Sequence, residues 1–436
     1  MDTGILTVII GLALVGFLVA GLPVSFALGG LAVLGTLYVW GWKGLYMIAN
    51  TAYAEGTSYL LLAVPLFLLM ANILRYSGLA DDLYEMVHKW MGPIPGGLAA
   101  GTVVICAVFA AMAGISSVAT ISMGLIALPS MLKRGYDKSM AVGCISAGGA
   151  LGILIPPSII MIIYGAMAEA SIGQLFIGGI LPGILLALIF CCYVLIRCTL
   201  NPSLGPPTQE RYSLGQKMRS VKAVILPGLL VVLVLGVIYS GAATPTEAAG
   251  IGALGALICS LLHRRLSFQN FKSALLSTLG LNAMVIWIVT GAVAFTHVLA
   301  YAGVSKMIQD MILGLGLSKW VIFFCMQIMY FILGMFLDPA GIIMLTTPVF
   351  IPLIKQLGFD PVWFGVIFTI NMEMAYITPP FGFNLFIMKA VVPPSINMTD
   401  IYRSIVPFVL LQALCLLICT FFPQIVLYLP YAMMAK

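Results

Sequence analysis

Ten apolar stretches punctuate this chain, each close to the ~20 residues that cross a bilayer as a helix. They lie near 4–21, 24–40, 59–74, 139–168, 175–197, 223–240, 245–262, 275–300, 361–389 and 404–429. Their apolar runs are continuous rather than alternating, which excludes a membrane β-barrel. Only 8% of the 436 residues are charged and 62% are hydrophobic, whereas a soluble domain averages about 25% charged. A soluble enzyme, a disordered chain and a nucleic-acid binder are therefore excluded. The expected class is an all-α polytopic membrane protein, embedded in lipid. The nine cysteines show no CxxC or Cys/His cluster and read as free thiols packed among apolar side chains. The start, MDTGIL, lacks a basic leader, so the first stretch is expected to be a retained span.

Two further apolar stretches, 95–132 and 320–354, are interrupted by Gly114-Ile115-Ser116-Ser117 and by Asp338-Pro339-Ala340-Gly341. Each can be two spans or a re-entrant hairpin that enters and leaves on one side. If both are hairpins, only Lys43, Lys306, Lys319, Lys355 and Lys436 of the 20 Lys and Arg fall on the non-cytoplasmic side. That is a strong positive-inside bias. It places both termini on that side and residues 198–222, including Arg211, in the cytoplasm.

The chain also repeats itself. ANILRYSGL at 71–79 resembles THVLAYAGV at 296–304, PSMLKRGYD at 129–137 resembles PLIKQLGFD at 352–360, and Pro156-Pro157 matches Pro379-Pro380. The copies start on opposite sides, so they are inverted, as in alternating-access transporters. The expected organisation is N-terminal scaffold spans at 1–58, a first repeat at 59–200 and a connector with two spans at 201–272. The second repeat covers 273–436. Each repeat carries one hairpin and one broken helix, the latter at 139–168 and 361–389. Residues 79–91 and 304–314 read as amphipathic helices lying in the headgroup plane.

The chemistry is expected at the four breaks. Backbone that leaves helical geometry at membrane depth is tolerated only inside protein or along a polar cavity. Its carbonyl and hydroxyl oxygens suit a desolvated Na⁺, and helix N-termini aimed at the same place favour an anion. The first hairpin offers Ser116, Ser117 and Thr120, opposite GGALGILIPPS at 148–158. The second offers Asp338, Pro339, Ala340 and Gly341, opposite AYITPPFG at 375–382. The plainer reading of the Ser and Thr residues is back-bonding to the preceding helical turn. Asp338 is the sharpest single signal, since a carboxylate inside the membrane is costly. Glu373 is a weaker one. Glu247 is explained by capping of its helix by Thr244 or Thr246.

AMAGISSVAT (111–120), GALGILIPPSIIMIIYG (149–165), ATPTEAAGIGA (243–253), GMFLDPAGIIMLTTPVFIPL (334–353) and ITPPFGFNLFIMK (377–389) resemble the large membrane subunit of tripartite ATP-independent periplasmic (TRAP) transporters, the DctM type. The resemblance covers essentially the whole chain. It implies an elevator-type secondary transporter of the bacterial inner membrane, working with a small four-span membrane subunit and a periplasmic substrate-binding protein. The implied cargo is an organic anion, such as a carboxylate, dicarboxylate or sialic acid, moved with two or more Na⁺. By position, the resemblance implies a first Na⁺ site at Ser116, Ser117, Gly152, Ile155 and Pro157. It implies a second at Gly341, Ala375, Thr378 and Pro380, and substrate contacts from Ser116, Ser117, Asp338, Pro339 and Thr378. The family's second broken span carries small residues before its TPP. Here Met372-Glu373-Met374-Ala375-Tyr376 stands there. Two other readings are a stand-alone sodium- or proton-coupled carboxylate transporter and, remotely, an intramembrane serine protease pairing Ser116 or Ser117 with His297.

Overall fold

The computed structural model describes residues 3–208, 210 and 212–434; Arg211 and Lys436, both used in the topology reading, lie outside them. The described residues form α-helices joined by short turns. In chain order these are α1 (Thr3–Val19), α2 (Val24–Trp40), α3 (Leu45–Gly56), α4 (Ala63–Tyr76), α5 (Leu79–Met91), α6 (Gly97–Ala113), α7 (Ser116–Lys133), α8 (Lys138–Ala150), α9 (Ile159–Ala168) and α10 (Ile172–Leu200). There follow α11 (Leu214–Tyr239), α12 (Pro245–Leu262), α13 (Phe268–Tyr301), α14 (Val304–Gly314), α15 (Lys319–Phe336), α16 (Pro339–Gln356), α17 (Pro361–Tyr376), α18 (Phe383–Val391), α19 (Met398–Phe421) and α20 (Gln424–Met434).

Each expected span has its helix or broken pair, but several boundaries differ. The stretch 404–429 is not one span: α19 ends at Phe421 and α20 starts at Gln424. Pro423 explains the break, because the residue before a proline is pushed out of helical geometry. Helix α3 was not anticipated from the polar–apolar mixture LYMIANTAYAEG. The hairpin breaks are also tighter than expected. Only Gly114 and Ile115 separate α6 from α7, and only Leu337 and Asp338 separate α15 from α16. Ser116 and Ser117 open α7, and Pro339 takes the first position of α16, where its missing N–H costs nothing.

By length and composition, seven of the described helices can cross a membrane, or up to nine if each of two bent pairs is one span. Three of the seven are hairpin arms, which composition does not distinguish from crossings. Burial marks only the return arms: 72% of α16 and 56% of α7 is enclosed by protein, against 33–44% of the other long apolar helices, α15 among them at 33%. A helix that ends at membrane depth needs such enclosure for the polar backbone at its tip.

The two repeats interlock. Helix α7 packs on α18 and α16 packs on α9, so each hairpin's return arm lies against the second half of the other repeat's broken helix. Helices α6 with α8, and α15 with α17, repeat a second shared contact. With the hairpins dipping, the crossings between the start of α4 and the start of α13 are α4, the α8–α9 pair, α10, α11 and α12. That is an odd number, so the copies are inverted.

Helices α2, α4, α12 and α13 form a second packing group. Gly29 and Gly291 allow α2 and α13 to touch backbone to backbone: a Cβ on Gly291 would lie 3.1 Å from the Gly29 nitrogen. Helix α5 leaves α4 at 61°, through Gly78 at φ 73°, a left-handed conformation open to glycine. Gly303, at φ 70°, precedes α14 in the same way. Arg265 anchors α5 with paired hydrogen bonds of 2.6 and 2.9 Å to Asp82. Glu247 lies in a capping box with Thr244, as expected, and all nine cysteines are free.

A buried polar lock joins the repeats. Thr120 Oγ1 on α7 donates to Asn384 Oδ1 on α18 at 2.9 Å, and Asn384 Nδ2 donates to the Ser146 carbonyl of α8 at 2.8 Å. Gly149 leaves room for it, since a Cβ there would fall 1.9 Å from Thr120 Oγ1. Gly149→Ala is therefore expected to displace Thr120 and lose about 1–3 kcal/mol, read as a lowered melting temperature in detergent. Gly250→Ala is expected to be neutral or slightly stabilising, because nothing lies within 4 Å of its Cβ position.

Candidate functional site: the cavity between the hairpin tips

The two hairpin tips meet at one internal cavity of about 280 Å³. Gly114, Ile115, Ser116 and Ser117 reach it from the first tip, and Asp338, Pro339 and Ala340 from the second. Ile153, Ile159, Ile160 and Ile163 come from the first break and the helix after it, and Tyr376, Phe383 and Ile387 flank the second. The remaining wall is Leu68 of α4 with Leu281, Met284, Val285 and Ile288 of α13. The polar side chains facing the cavity, Ser116, Ser117, Asp338 and Tyr376, thus all come from the interlocked hairpins and broken helices. The α4 and α13 side is aliphatic throughout.

The tips are held by their breaks. Gly114 adopts φ 62°, and a Cβ there would sit 2.5 Å from the Pro157 carbonyl oxygen. The Ile159 N–H reaches the Gly114 carbonyl at 3.4 Å. Gly152 lies against the tip itself, with its Cβ position 2.9 Å from the Ile115 carbonyl oxygen. In the second repeat the Gly382 N–H reaches the Met335 carbonyl at 3.4 Å. Both Pro-Pro bonds, 156–157 and 379–380, are cis.

The helix starts at the cavity differ between the repeats. Asp338 Oδ2 accepts the Ala340 N–H at 3.0 Å and caps α16. Its counterpart in the first repeat, Ile115, offers no side-chain cap to α7. Ser116 Oγ is buried and has no hydrogen-bond partner. Conversely, Ser158 caps α9, while Gly382 leaves α18 without a side-chain cap.

Of the residues singled out from the sequence, Ser116, Ser117, Asp338 and Pro339 line the cavity. Gly152 and Pro157 contact the first tip, and Ile155 packs its side chain on Gly183 of α10. The second group is more dispersed. Gly341 faces Val24 of α2 and Ala375 faces Gly334 of α15. Thr378 Oγ1 donates back to the Met374 carbonyl at 2.7 Å, and the Pro380 carbonyl accepts from the Tyr402 hydroxyl at 2.6 Å. Glu373 is buried away from the cavity, with Gln412 Nε2 donating to it at 3.2 Å.

His297 lines a separate, more open groove of about 720 Å³ beside α2 and α3, so it does not pair with Ser116 or Ser117. Sequence reasoning missed the α4 and α13 wall, because nothing marks five aliphatic residues as cavity-lining before the fold is known. It also missed Asn384, whose signal was a lone amide in an otherwise apolar return, FGFNLF.

Among the described residues, the ion pairs involve His88, Lys89, Arg134 and Arg265, none of which lines the cavity. No group of three His, Cys, Asp or Glu side chains is placed to share a metal ion among them.

A helical membrane protein with two interlocked, inverted hairpin repeats around one cavity has the architecture of a secondary transporter. Residues 11–425 match the family described as the tripartite ATP-independent periplasmic transporter, DctM component, and the chain belongs to that family. It is 35% identical to the C4-dicarboxylate TRAP transporter large permease protein DctM of Pseudomonas aeruginosa, over 92% of this chain and 93% of that one. It is likewise 35% identical to the ectoine/5-hydroxyectoine TRAP transporter large permease protein UehC of Ruegeria pomeroyi, over 85% of each. The crystal structure of the Alcanivorax borkumensis YdaH transporter shares the fold, with a TM-score of 0.65 at 15% identity, covering 94% of this chain and 96% of that one.

The convergence of the tips can be checked directly. Cysteines placed at Ser117 and Ala340, in a background without the exposed Cys192 and Cys325, are expected to be joined in membranes by a short bifunctional thiol reagent. A Ser117 and Lys43 pair is expected to stay unjoined.

Proposed function

We propose that this chain is the translocating subunit of a TRAP transporter that imports an organic anion by Na⁺-coupled, elevator-type alternating access. It acts in the bacterial inner membrane with both termini periplasmic. A small four-span subunit supports it, and a periplasmic binding protein delivers the substrate.

One observation carries this reading: every polar side chain at the cavity belongs to the interlocked hairpins and broken helices, while the facing wall, from the first helix of each repeat, α4 and α13, is apolar. A body that slides along such a wall exchanges dispersion contacts and breaks no hydrogen bonds to it. Substrate and ions can therefore travel with the hairpins. An anionic group of the substrate sits at the uncapped start of α7, where backbone N–H groups and the Ser116 and Ser117 hydroxyls can donate. One Na⁺ is held by Ser116, Ser117 and the carbonyls of Gly152, Ile155 and Pro157. A second is held by Thr378 and the carbonyls of Gly341, Ala375 and Pro380. The ions offset the charge of the anion and draw each tip toward its break, which couples their gradient to closure.

Relatives of equal identity carry names with different substrates, a C4-dicarboxylate and ectoine, so relatedness alone leaves the cargo open. The test is uptake into vesicles holding this chain, its small subunit and its binding protein, with and without an inward Na⁺ gradient. Ser116→Ala and Asp338→Ala are each expected to cut Na⁺-driven uptake at least tenfold, with unchanged membrane insertion and size-exclusion profile. Undiminished uptake in both variants would remove the site assignment.

A further inference from the structure

Away from the hairpin tips, a second pocket of about 500 Å³ opens where the corner between α4 and α5 meets the turn between α12 and α13. Ser77, Gly78 and Asp81 line it from the corner, and Arg264, Arg265 and Asn270 line it from the turn. Arg265 is committed within the protein. Besides its pair with Asp82, its Nη1 donates to the Ser77 and Gly78 carbonyls at 3.3 and 3.1 Å. Arg264 and Asp81 are uncommitted. Both are exposed, and neither side chain has an ion-pair or hydrogen-bond partner among the described residues. Arg264 also holds φ 56°, a left-handed backbone that is costly for a residue with a Cβ. One pocket thus presents a free guanidinium and a free carboxylate.

The residues around the turn place this pocket at the level of the lipid headgroups. Leu261 and Leu262 end α12 just before Arg264, and Phe268 opens α13 just after Ser267. All three are exposed, Phe268 by 84%. A turn projecting into water would leave these apolar side chains bare on both flanks. At the membrane surface they sink among acyl chains while the guanidinium stays with the phosphates.

The chemistry of the pocket then selects the headgroup. Basic pockets between membrane helices receive phospholipid headgroups, and a guanidinium can donate two parallel hydrogen bonds to one phosphate. A headgroup with a phosphate alone answers Arg264 and leaves Asp81 facing a like charge. A headgroup with an ammonium close to its phosphate answers both.

We propose that this pocket binds one phospholipid of the phosphatidylethanolamine type. Its phosphate lies at Arg264, its ammonium at Asp81, and its acyl chains run beside Leu262 and Phe268. The lipid ties the α4–α5 corner to the α12–α13 turn, next to the pair between Arg265 and Asp82. The site is separate from the cargo cavity and independent of which anion or ion the chain moves.

The test is native mass spectrometry of the detergent-purified complex of this chain with its small subunit. It is titrated with phosphatidylethanolamine, with phosphatidylglycerol of the same acyl chains, and with free phosphoethanolamine. The tightest-bound phosphatidylethanolamine is expected to bind about tenfold better than phosphatidylglycerol. Free phosphoethanolamine is expected to bind far more weakly than the lipid. Asp81→Asn is expected to weaken phosphatidylethanolamine about tenfold and to narrow its lead over phosphatidylglycerol. Arg264→Gly removes the guanidinium and relieves the left-handed backbone. Its melting temperature without lipid is expected to hold or rise, while the extra stability that added phosphatidylethanolamine gives the wild type is lost. Arg219→Gln, which removes an exposed charge outside the pocket, is expected to change none of these values. Phosphatidylethanolamine binding that survives in both pocket variants overturns the proposal, because the lipid then sits elsewhere. Phosphatidylglycerol binding as tightly as phosphatidylethanolamine also overturns it, as does free phosphoethanolamine binding as tightly as the lipid. A lipid-free melting temperature lowered by Arg264→Gly overturns it too, by giving Arg264 a structural role.

Discussion

Main-chain polar groups at membrane depth must find partners inside the protein, and the rest of this architecture follows from that requirement. Two hairpins stop partway and two spans break partway, so four pairs of helix ends lie where no bulk water reaches. The structure answers by placing these ends against one another. Gly114 rests on Pro157, Gly152 rests on the Ile115 carbonyl, and the Gly382 N–H reaches Met335. The polar groups that remain open, chiefly the α7 start and the outer face of Asp338, are thereby gathered at a single cavity.

The two repeats share their helix order and main helix contacts but not the chemistry of their side chains. The α7–α18 contact is fastened by the Thr120–Asn384–Ser146 hydrogen bonds. The α15–α17 contact of the second repeat, the counterpart of α6–α8, carries packed rings, with Phe323 stacked on Trp363 and Tyr330 edge-on to Phe368. The helix caps divide in the same way, Asp338 and Ser158 on one diagonal and none on the other. An inverted repeat needs a matching backbone to present similar shapes to both sides of the membrane. Its binding site faces only one ligand, and the side chains there are free to diverge.

Much of this was legible in the sequence, because membrane helices announce themselves by composition and breaks announce themselves by Gly, Pro and a stray carboxylate. Asp338 and the Ser116–Ser117 pair could be placed at a cavity for that reason. The breaks themselves are shorter than the polar letters suggested, because serine and proline are good first-turn residues and belong to the helices they open. Leu68 and the α13 face carried no signal: aliphatic residues look alike whether they meet lipid, core or a ligand cavity. Helix α3 has too mixed a composition to stand out. The division of α19 from α20 was written in Pro423, but read over by the hydrophobicity of its neighbours.

The aliphatic wall of α4 and α13 has one more consequence. In a sliding mechanism it supplies no notch: each depth of the travelling body is as well lubricated as the next. The endpoints of such a stroke would then be set elsewhere, for instance at the corners where Gly78 and Gly303 turn the chain from α4 into α5 and from α13 into α14.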